Sequence, residues 1–353
     1  MRPVSSGAAA VTTLLVSTWD GLHLIDDSSG TWVDQPMLAG HNIAHAVREQ
    51  STGTLWAASN RGETSRVMHS EDGGATWEAG PDFAAEEIWH VDVAQDGAIW
   101  AGVKPAALLV SRDRGTIWAP NLGLNEHPSR KEWHDGGAGL ILHTMILPPE
   151  RPNRRYVAIS VAGLFRSDDG GETWVAANDG TRGFGEGWSN VTGNPLEHPE
   201  VHRCVHKTII HPTNPEVLFS QTHMGVYRSD DGGANWGEIE DGLPTIFCFG
   251  IAAQPVANDA GCALFIVPQS DETLRTTDGL IPYRSLDGGR TWEAKGNGLP
   301  SGDHMVLRDA MAADAAGVYF GNSQGTVWAT RDLGETWQVV AEGLGRVQAV
   351  EIG

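Results

Sequence analysis

The sequence predicts an all-β protein, a seven-bladed β-propeller of four-stranded antiparallel blades. Three observations indicate this fold. A short sequence motif, which we call the box, recurs roughly every 40–60 residues, and such recurrence is the signature of a repeat architecture. The segments between the boxes alternate in short β-rich stretches separated by Gly, Asp, Asn and Pro. A single strand-like segment is left over after the last box.

The box has the pattern Ser/Thr-x-Asp-x-Gly-x-Thr-Trp. Its copies lie at 70–77, 111–118, 167–174, 229–236, 285–292 and 330–337, with a decayed copy at 26–32. We expect each box to be a tight turn between two strands. The Asp168 carboxylate would accept backbone N–H groups, Gly171 would adopt a positive φ, and Trp174 would open the next strand. We therefore interpret the boxes as structural clips and not as ligand sites.

The third unit shows the strand pattern, with predicted strands at 88–94, 98–103, 107–111 and 116–119. The first unit supplies only three strands, at 14–19, 22–26 and 31–34, and lacks an inner strand. The C-terminal segment 345–352 is predicted to complete that blade as its inner strand. This closure would remove exposed sheet edges. The predicted organisation is a flexible tail at 1–10 and one propeller at 11–353.

Composition narrows the possible partners. The chain has 353 residues and a formal charge of −21, from 45 acidic and 24 basic residues. This balance argues against nucleic acid and anionic membranes as partners. A small-molecule substrate is expected from the predicted site described below. No apolar stretch reaches membrane-spanning length. The three cysteines lack metal or redox spacing, so a reduced, cytoplasmic setting is expected.

The boxes resemble the Asp-box (BNR) repeats of sialidases, sortilin-type receptors and photosystem II assembly factors. The phrase at 211–215, His-Pro-Thr-Asn-Pro, resembles an inter-strand phrase of the same superfamily. The resemblance covers nearly the whole chain and implies the propeller fold, but the superfamily includes both hydrolases and non-catalytic binders. The catalytic residues that a sialidase would need are absent: there is no Arg-Ile-Pro phrase, and all four tyrosines fall in predicted blade strands. Sialidase activity is therefore not expected.

Four consecutive inner strands carry a histidine at one register. These residues are His45, His90, His143 and His206. Equal register on neighbouring inner strands would place them on one ring at the mouth of the central channel. Three or four converging imidazoles suit Fe, Zn or Cu, as in the geometrically analogous carotenoid-cleaving oxygenases. The alternative is a set of packed histidines, each satisfied by a neighbouring carbonyl.

Two further residues are predicted to act beside this ring. Asp92 follows His90 by two residues on the same side of its strand and could be a ligand or a supporting acceptor. Arg308 occupies the histidine register in a later blade, where its fixed cation would suit a substrate carboxylate or phosphate. A divalent transition metal at this place would activate water or oxygen, so hydrolase, lyase and oxygenase chemistry all stay open.

Long loops are predicted on the face where the inner strands begin, at 120–139, 178–203 and 268–280. Five residues in or near them are predicted to bind substrate: Trp133, His134, Arg182, Trp188 and His223. Two other functions remain alternatives to the metal-dependent enzyme. One is a non-catalytic scaffold that binds a protein or ligand, and the other is a glycoside hydrolase that uses Glu132, Asp135 or Glu186.

Overall fold

The computed structural model describes residues 12–83, 86–183 and 197–353, and the tail predicted at 1–10 lies outside them. The described residues form seven four-stranded antiparallel sheets. Successive inner strands contact one another all the way round, so the sheets close into a ring. The predicted seven-bladed β-propeller is confirmed.

Within each of the first four blades the strands run in order from the inner to the outer edge. Blade 1 contains β28 (Val347–Ile352), β1 (Thr13–Thr18), β2 (Gly21–Asp26) and β3 (Val33–Met37). Blade 2 contains β4 (Asn42–Arg48), β5 (Leu55–Arg61), β6 (Thr64–Ser70) and β7 (Glu78–Ala79). Blade 3 contains β8 (Glu87–Val93), β9 (Ile99–Lys104), β10 (Ala107–Ser111) and β11 (Ala119–Pro120). Blade 4 contains β12 (Ile141–Ile146), β13 (Arg155–Ser160), β14 (Gly163–Ser167) and β15 (Val175–Ala176).

The last three blades follow the same order. Blade 5 contains β16 (Val205–His211), β17 (Asn214–Thr222), β18 (Gly225–Ser229) and β19 (Gly237–Glu238). Blade 6 contains β20 (Ile251–Pro255), β21 (Cys262–Ile266), β22 (Tyr283–Ser285) and β23 (Glu293–Ala294). Blade 7 contains β24 (Met311–Ala313), β25 (Val318–Gly321), β26 (Val327–Thr330) and β27 (Gln338–Ala341).

The ring closes as the leftover strand predicts. β28 pairs antiparallel with β1, with Leu14 opposite Ile352 and Val16 opposite Val350. The chain ends are thereby joined in one sheet, and blade 1 has no unpaired inner edge. The only regular helices in the described residues are a short α1 (Leu122–Asn125) and a 3-10 helix (Pro128–Glu132), both between blades 3 and 4. Neither of these helices is long or apolar enough to cross a membrane.

The six better-matching boxes are tight turns, each held by one carboxylate, and in the 167–174 copy this carboxylate is that of Asp169 and not of Asp168 as predicted. The Asp169 carboxylate accepts hydrogen bonds from the Ser167 hydroxyl and from the backbone and side chain of Thr173. Asp168 points outward and pairs with Arg154 at 2.7 Å. Gly171 has a φ of 92°, as a residue without a Cβ can adopt at little cost. These hydrogen bonds to the charged carboxylate hold the pKa of Asp169 at about 2.

The hydrophobic core lies between neighbouring blades. Trp56 of blade 2, for example, packs in one cluster with Ile88 and Ile99 of blade 3. Several box tryptophans also bond to the preceding blade; the indole N–H of Trp236 donates to the carbonyl of Ala177 at 2.9 Å, and that of Trp337 donates to Lys295 at 2.8 Å. The boxes thus fasten adjacent blades as well as turning the chain.

Candidate functional site

Five of the seven inner strands share a backbone irregularity at the histidine register. In β4 and β8 the pairing with the second strand shifts just before His45 and His90. In β12 and β16 the shift leaves His143 and His206 themselves unpaired, and in blade 1 it leaves Gln348 unpaired. A bulge of this kind re-aims a side chain relative to a regular strand. Residues at the same register of different inner strands therefore need not point their side chains in the same direction.

The side chains at these bulges bond to the next inner strand. We call them the inter-blade belt: His45, His90, His143, His206 and Gln348. Their polar contacts are His45 Nδ1 to Val91 O at 3.0 Å, His143 Nε2 to Val205 O at 3.0 Å, His206 Nδ1 to Cys248 O at 2.6 Å, Gln348 Nε2 to Ile43 O at 2.7 Å, and His90 to the backbone of His143. Because a carbonyl oxygen only accepts, each side chain is the donor. The belt joins blades 1 to 6 in sequence.

The four histidines do not converge on one point. Groups of at least three possible ligand atoms within 4.8 Å of one another occur in the described residues, but none contains His45, His90 or His143. Burial holds the pKa of His143 well below its usual value and that of His206 at about 3, so both rings are neutral. Metal binding by the four-histidine ring stays a prediction, and the belt supplies a structural reason for the repeated histidine.

A cavity of about 640 Å³, which we call the upper cavity, opens where the inner strands begin. Its wall is made of strand beginnings, of residues preceding β24 and of the long loops. Among the lining residues are Trp19, Asn42, Glu87, Trp89, Ala138, Phe249, Leu274, Arg308, Asp309, Arg346 and Gln348. A concave site of this size, with aromatic walls and a few polar groups, is typical of small-molecule binding.

Arg308 is the least satisfied charged group of the upper cavity. Its guanidinium lies 5.8 Å from the ring of Trp89 and 5.9 Å from the ring of Phe249. One terminal nitrogen, Nη1, is shielded from water and has no hydrogen-bond partner in the described ranges 12–83, 86–183 and 197–353. Within the part of the chain that the structure describes, no carboxylate forms an ion pair with Arg308. Burial lowers the pKa of this guanidinium, although a group of this kind stays charged.

A second arginine adds to the positive charge of the same cavity. The guanidinium of Arg346 lies 4.9 Å from the ring of Trp19, and its buried Nε has no partner. Burial, with a smaller contribution from Arg275, lowers the pKa of Arg346. Unpaired cations gathered around aromatic rings favour an anionic ligand.

Sequence reasoning missed the ion pair at the base of this cavity. Lys207 Nζ bonds to Asp309 Oδ1, and both side chains are about nine-tenths buried. Asp309 lines the upper cavity, whereas Lys207 lines a second one, so the pair stands at their junction. Each residue directly follows a predicted ring residue, His206 or Arg308. A lysine within the predicted inner strand, between His206 and the apolar pair Ile209 and Ile210, was the available signal, because buried lysines almost always need a partner.

The second cavity, which we call the lower cavity, holds about 340 Å³ near the ends of the inner strands. His45, Asp92 and Glu351 line it, and His45 Nε2 bonds to Glu351 at 3.1 Å. Burial raises the pKa of Asp92 to about 6. Burial disfavours the charged His45 ring, but the bond to Glu351 outweighs it and raises the pKa of His45.

The two residues predicted to be catalytic, Asp92 and Arg308, are not brought together. Asp92 lines the lower cavity and Arg308 the upper cavity, and the two linings have no residue in common. Two residues along a strand correspond to about 7 Å, which carries Asp92 past the belt toward the opposite end of the channel. The catalytic roles of Asp92 and Arg308 stay predictions, and each residue would act from a different cavity.

The predicted substrate-binding residues are dispersed. Trp133 is 6% exposed, donates its indole N–H to Ser129 and packs on Phe165, so it belongs to the core. His134 stacks on His202 with ring centroids 5.6 Å apart. The guanidinium of Arg182 forms ion pairs with Glu238 and Glu240 and donates a hydrogen bond to the Tyr227 hydroxyl.

Trp188 and Glu186 lie outside the described residues. His223, by contrast, lies beside His206 and Cys204, in a group whose possible ligand atoms are within 4.8 Å of one another. Cys204 was missed, because Cys-x-His alone is too short a motif to indicate a metal site.

The fold and the two cavities define the chain as a β-propeller with a ligand-sized cavity at the mouth of its channel. No protein-family model matches the chain. It is similar to two curated sequences of xyloglucanase Xgh74A from Acetivibrio thermocellus, with identities of 27% and 40%; each match covers 51% of this chain and 23% of the relative. The chain thus spans about a quarter of the length of the curated relatives that it matches.

Solved structures agree on the fold. YCF48 bound to D1 peptide superposes with a TM-score of 0.55 at 14% identity, over 96% of this chain and 86% of that one. An ancestral GH74 enzyme superposes with a TM-score of 0.58 at 15% identity, over 94% of this chain and 40% of that one. At these identities the likeness shows the fold alone. It agrees with the propeller fold that the Asp-box resemblance implies.

Proposed function

We propose that this propeller binds a small carboxylate-bearing ligand in the upper cavity, with Arg308 as the group that holds the carboxylate. The single observation that carries the proposal is the unpaired, partly buried guanidinium of Arg308 between Trp89 and Phe249. A planar guanidinium binds a carboxylate through two parallel N–H···O bonds.

The charge balance of the chain makes this unpaired arginine informative. Acidic residues outnumber basic ones by 45 to 24, so most arginines could find a carboxylate partner. The adjacent carboxylate, that of Asp309, nevertheless forms its ion pair with Lys207 and not with Arg308. Leaving Nη1 of the Arg308 guanidinium buried without a hydrogen bond is unfavourable, so an anion that accepts a hydrogen bond from it would gain binding free energy. Arg346 adds a second cation to the same wall.

The aromatic wall fits a ligand with a flat or apolar body behind its carboxylate. Trp19, Trp89 and Phe249 line the cavity. Stacking on these rings would contribute affinity, while Asn42 and Gln348 offer polar contacts at the edge. Gln348 already donates to Asn42 and Ile43, which holds this edge in place before a ligand binds.

The test uses a panel of probes: succinate, citrate and glucuronate, with glucose as the uncharged counterpart of glucuronate. Binding is measured by calorimetry and by the fluorescence of the cavity tryptophans. We expect at least one carboxylate to bind and glucose not to bind. Arg308→Gln should weaken that binding about 10–100-fold, the equivalent of about 1.5–3 kcal/mol for a hydrogen bond to a charged group.

Arg290→Gln is the matched control, because Arg290 is exposed on the box turn at 285–292 and does not line the upper cavity. It should bind as the unaltered protein does. Higher salt should weaken the interaction, as expected for an ion pair at a solvent-accessible mouth. Equal affinities in the Arg308→Gln and Arg290→Gln variants, or no binding of any carboxylate, would refute the proposal.

A glycoside hydrolase is a second candidate, because the curated relatives are xyloglucanases. The carboxylates that line the upper cavity are Glu87 and Asp309, and Asp309 is paired with Lys207. The loop carboxylate Glu132 is bonded to His202 and to backbone N–H groups, and Asp135 is exposed. Release of reducing sugar from xyloglucan, abolished by Glu87→Gln, would favour this function over simple binding.

A further inference from the structure

Cys204, His206 and His223 form a compact cluster beside the upper cavity. Cys204 immediately precedes β16, His206 lies in β16, and His223 follows β17 in the hairpin turn. The backbone N–H of His223 donates to the carbonyl of Cys204 at 2.8 Å, which fixes the two segments against each other. One potential ligand atom from each of the three side chains lies within 4.8 Å of the other two.

Hydrogen bonds prepare His206 to act as a ligand. Its Nδ1 is 2.6 Å from the carbonyl oxygen of Cys248, and a carbonyl can only accept. Nδ1 therefore carries the proton of the neutral ring, and the lone pair lies on Nε2. A metal-binding histidine commonly donates its other N–H to a carbonyl in this way.

His223 has support of the same kind. Its Nε2 lies 3.2 Å from the Asp271 carboxylate, so the ring is oriented by a carboxylate. Asp271 belongs to the loop at 268–280, which connects this cluster to the predicted functional face. Phe247 and Phe249 pack on the His206 ring, with centroid distances of 5.1 and 4.8 Å, and help to hold it in place.

We propose that Cys204, His206 and His223 bind a transition-metal ion, zinc being the best match, with its remaining position open to water or to a ligand. A thiolate with two imidazoles suits Zn(II), and three protein ligands are typical of a zinc site that keeps an exchangeable position. Ligand atoms on a tetrahedral zinc lie about 3.3–3.8 Å apart, so the distances within the cluster need to shorten by about 1.5 Å at most.

This site differs from the four-histidine ring, because it shares only His206 with that set. It also stands apart from the proposed carboxylate site, although the two adjoin. Phe249 contacts His206 and lines the upper cavity, and Arg308 lies close enough to Cys204 for their charges to interact. A metal here would add a further positive centre next to the cavity, beside Arg308 and Arg346.

The experiment uses the whole chain, stripped with EDTA and then titrated with Co(II) or Zn(II). We expect about one equivalent of metal to be retained after gel filtration, and a Co(II)–thiolate charge-transfer band in the near ultraviolet. Cys204→Ser should abolish the band and lower the metal affinity at least tenfold. His223→Gln, at the rim of the cavity, should lower the affinity similarly.

Two controls make the result specific. Cys262→Ser replaces a buried cysteine of β21 that is not in the cluster, and His143→Gln replaces a belt histidine outside it. Both should retain the metal and the band. Arg308→Gln should also retain them, so failure of the carboxylate site and failure of the metal site are distinguishable. Less than about a tenth of an equivalent in the unaltered protein, or an unchanged band in Cys204→Ser, would overturn the proposal.

Discussion

The structural role of the inter-blade belt can be tested at His143. A structural role and metal ligation by this residue predict different effects of substitution on the free energy of unfolding. The ring is fully buried, with Nε2 donating to Val205 O at 3.0 Å and Nδ1 at 2.9 Å from the Thr144 hydroxyl. His143→Ala would leave the Val205 carbonyl without its donor, at about 1–3 kcal/mol. It would also leave a cavity the size of the ring, at about 2 kcal/mol. We expect a loss of about 3–5 kcal/mol in the free energy of unfolding.

The chain itself provides the conservative replacement. Gln348 occupies the same unpaired bulge position in blade 1 and donates its side-chain N–H to Ile43 O at 2.7 Å. A glutamine can therefore serve as an inter-blade donor at this register. His143→Gln should retain most of the stability, with a loss of about 1 kcal/mol, which is typical of a swap that nearly conserves volume.

The assay is urea unfolding followed by tryptophan fluorescence, with and without EDTA. If the belt is structural, His143→Ala is much less stable than His143→Gln, and EDTA does not change the difference between them. If His143 binds a metal, the two variants are equally damaged, and EDTA destabilises the unaltered protein by a similar amount. That second outcome would refute the inter-blade role.

Three further predictions concern the channel and the ring closure. Asp92 has a folded-state pKa of about 6 against 3.8 unfolded, so the folded state binds the extra proton and stability falls as pH rises from about 4 to 6. Asp92→Asn should flatten this fall and stabilise the protein at pH 8 by up to about 3 kcal/mol, as measured by denaturant unfolding at both pH values. Asp309→Asn leaves the Lys207 ammonium buried without its charged partner and should lower the free energy of unfolding by about 3–5 kcal/mol. The double variant Lys207→Met with Asp309→Leu, which removes both charges, should recover most of this lost stability. Deleting residues 346–353 removes β28 and exposes the edge of β1, so the truncated chain should aggregate in gel filtration; a monomer with unchanged thermal unfolding would contradict the closure argument.

The fold was predictable from the sequence because it depends on local chemistry that repeats. The box encodes its own turn through an Asp, a Gly and a Trp, and seven copies specify seven blades. The strand left over at the C-terminus has one available place, beside β1, and the structure puts it there. The local detail of the turn was less predictable, since the carboxylate that holds it is Asp169 and not Asp168.

The histidine register was also visible in the sequence, and all four residues do lie on or at the inner strands. The direction of their side chains was not visible. A bulge adds one residue to a strand, and no residue type in Ile-Ala-His or Val-His-Lys marks which residue is left unpaired. The imidazoles consequently reach sideways to the next blade, as expected for packed histidines that are satisfied by neighbouring carbonyls.

The sequence by itself determined the blade count, the closure of the ring and the face on which the long loops stand, because these follow from repeat spacing and strand order. Only the tertiary structure decided which charges meet across the channel. Lys207 and Asp309 pair, Arg308 has no carboxylate partner among the described residues, and Cys204 comes within reach of His223. These outcomes depend on how seven twisted sheets converge on one axis, and that convergence joins residues far apart in the chain.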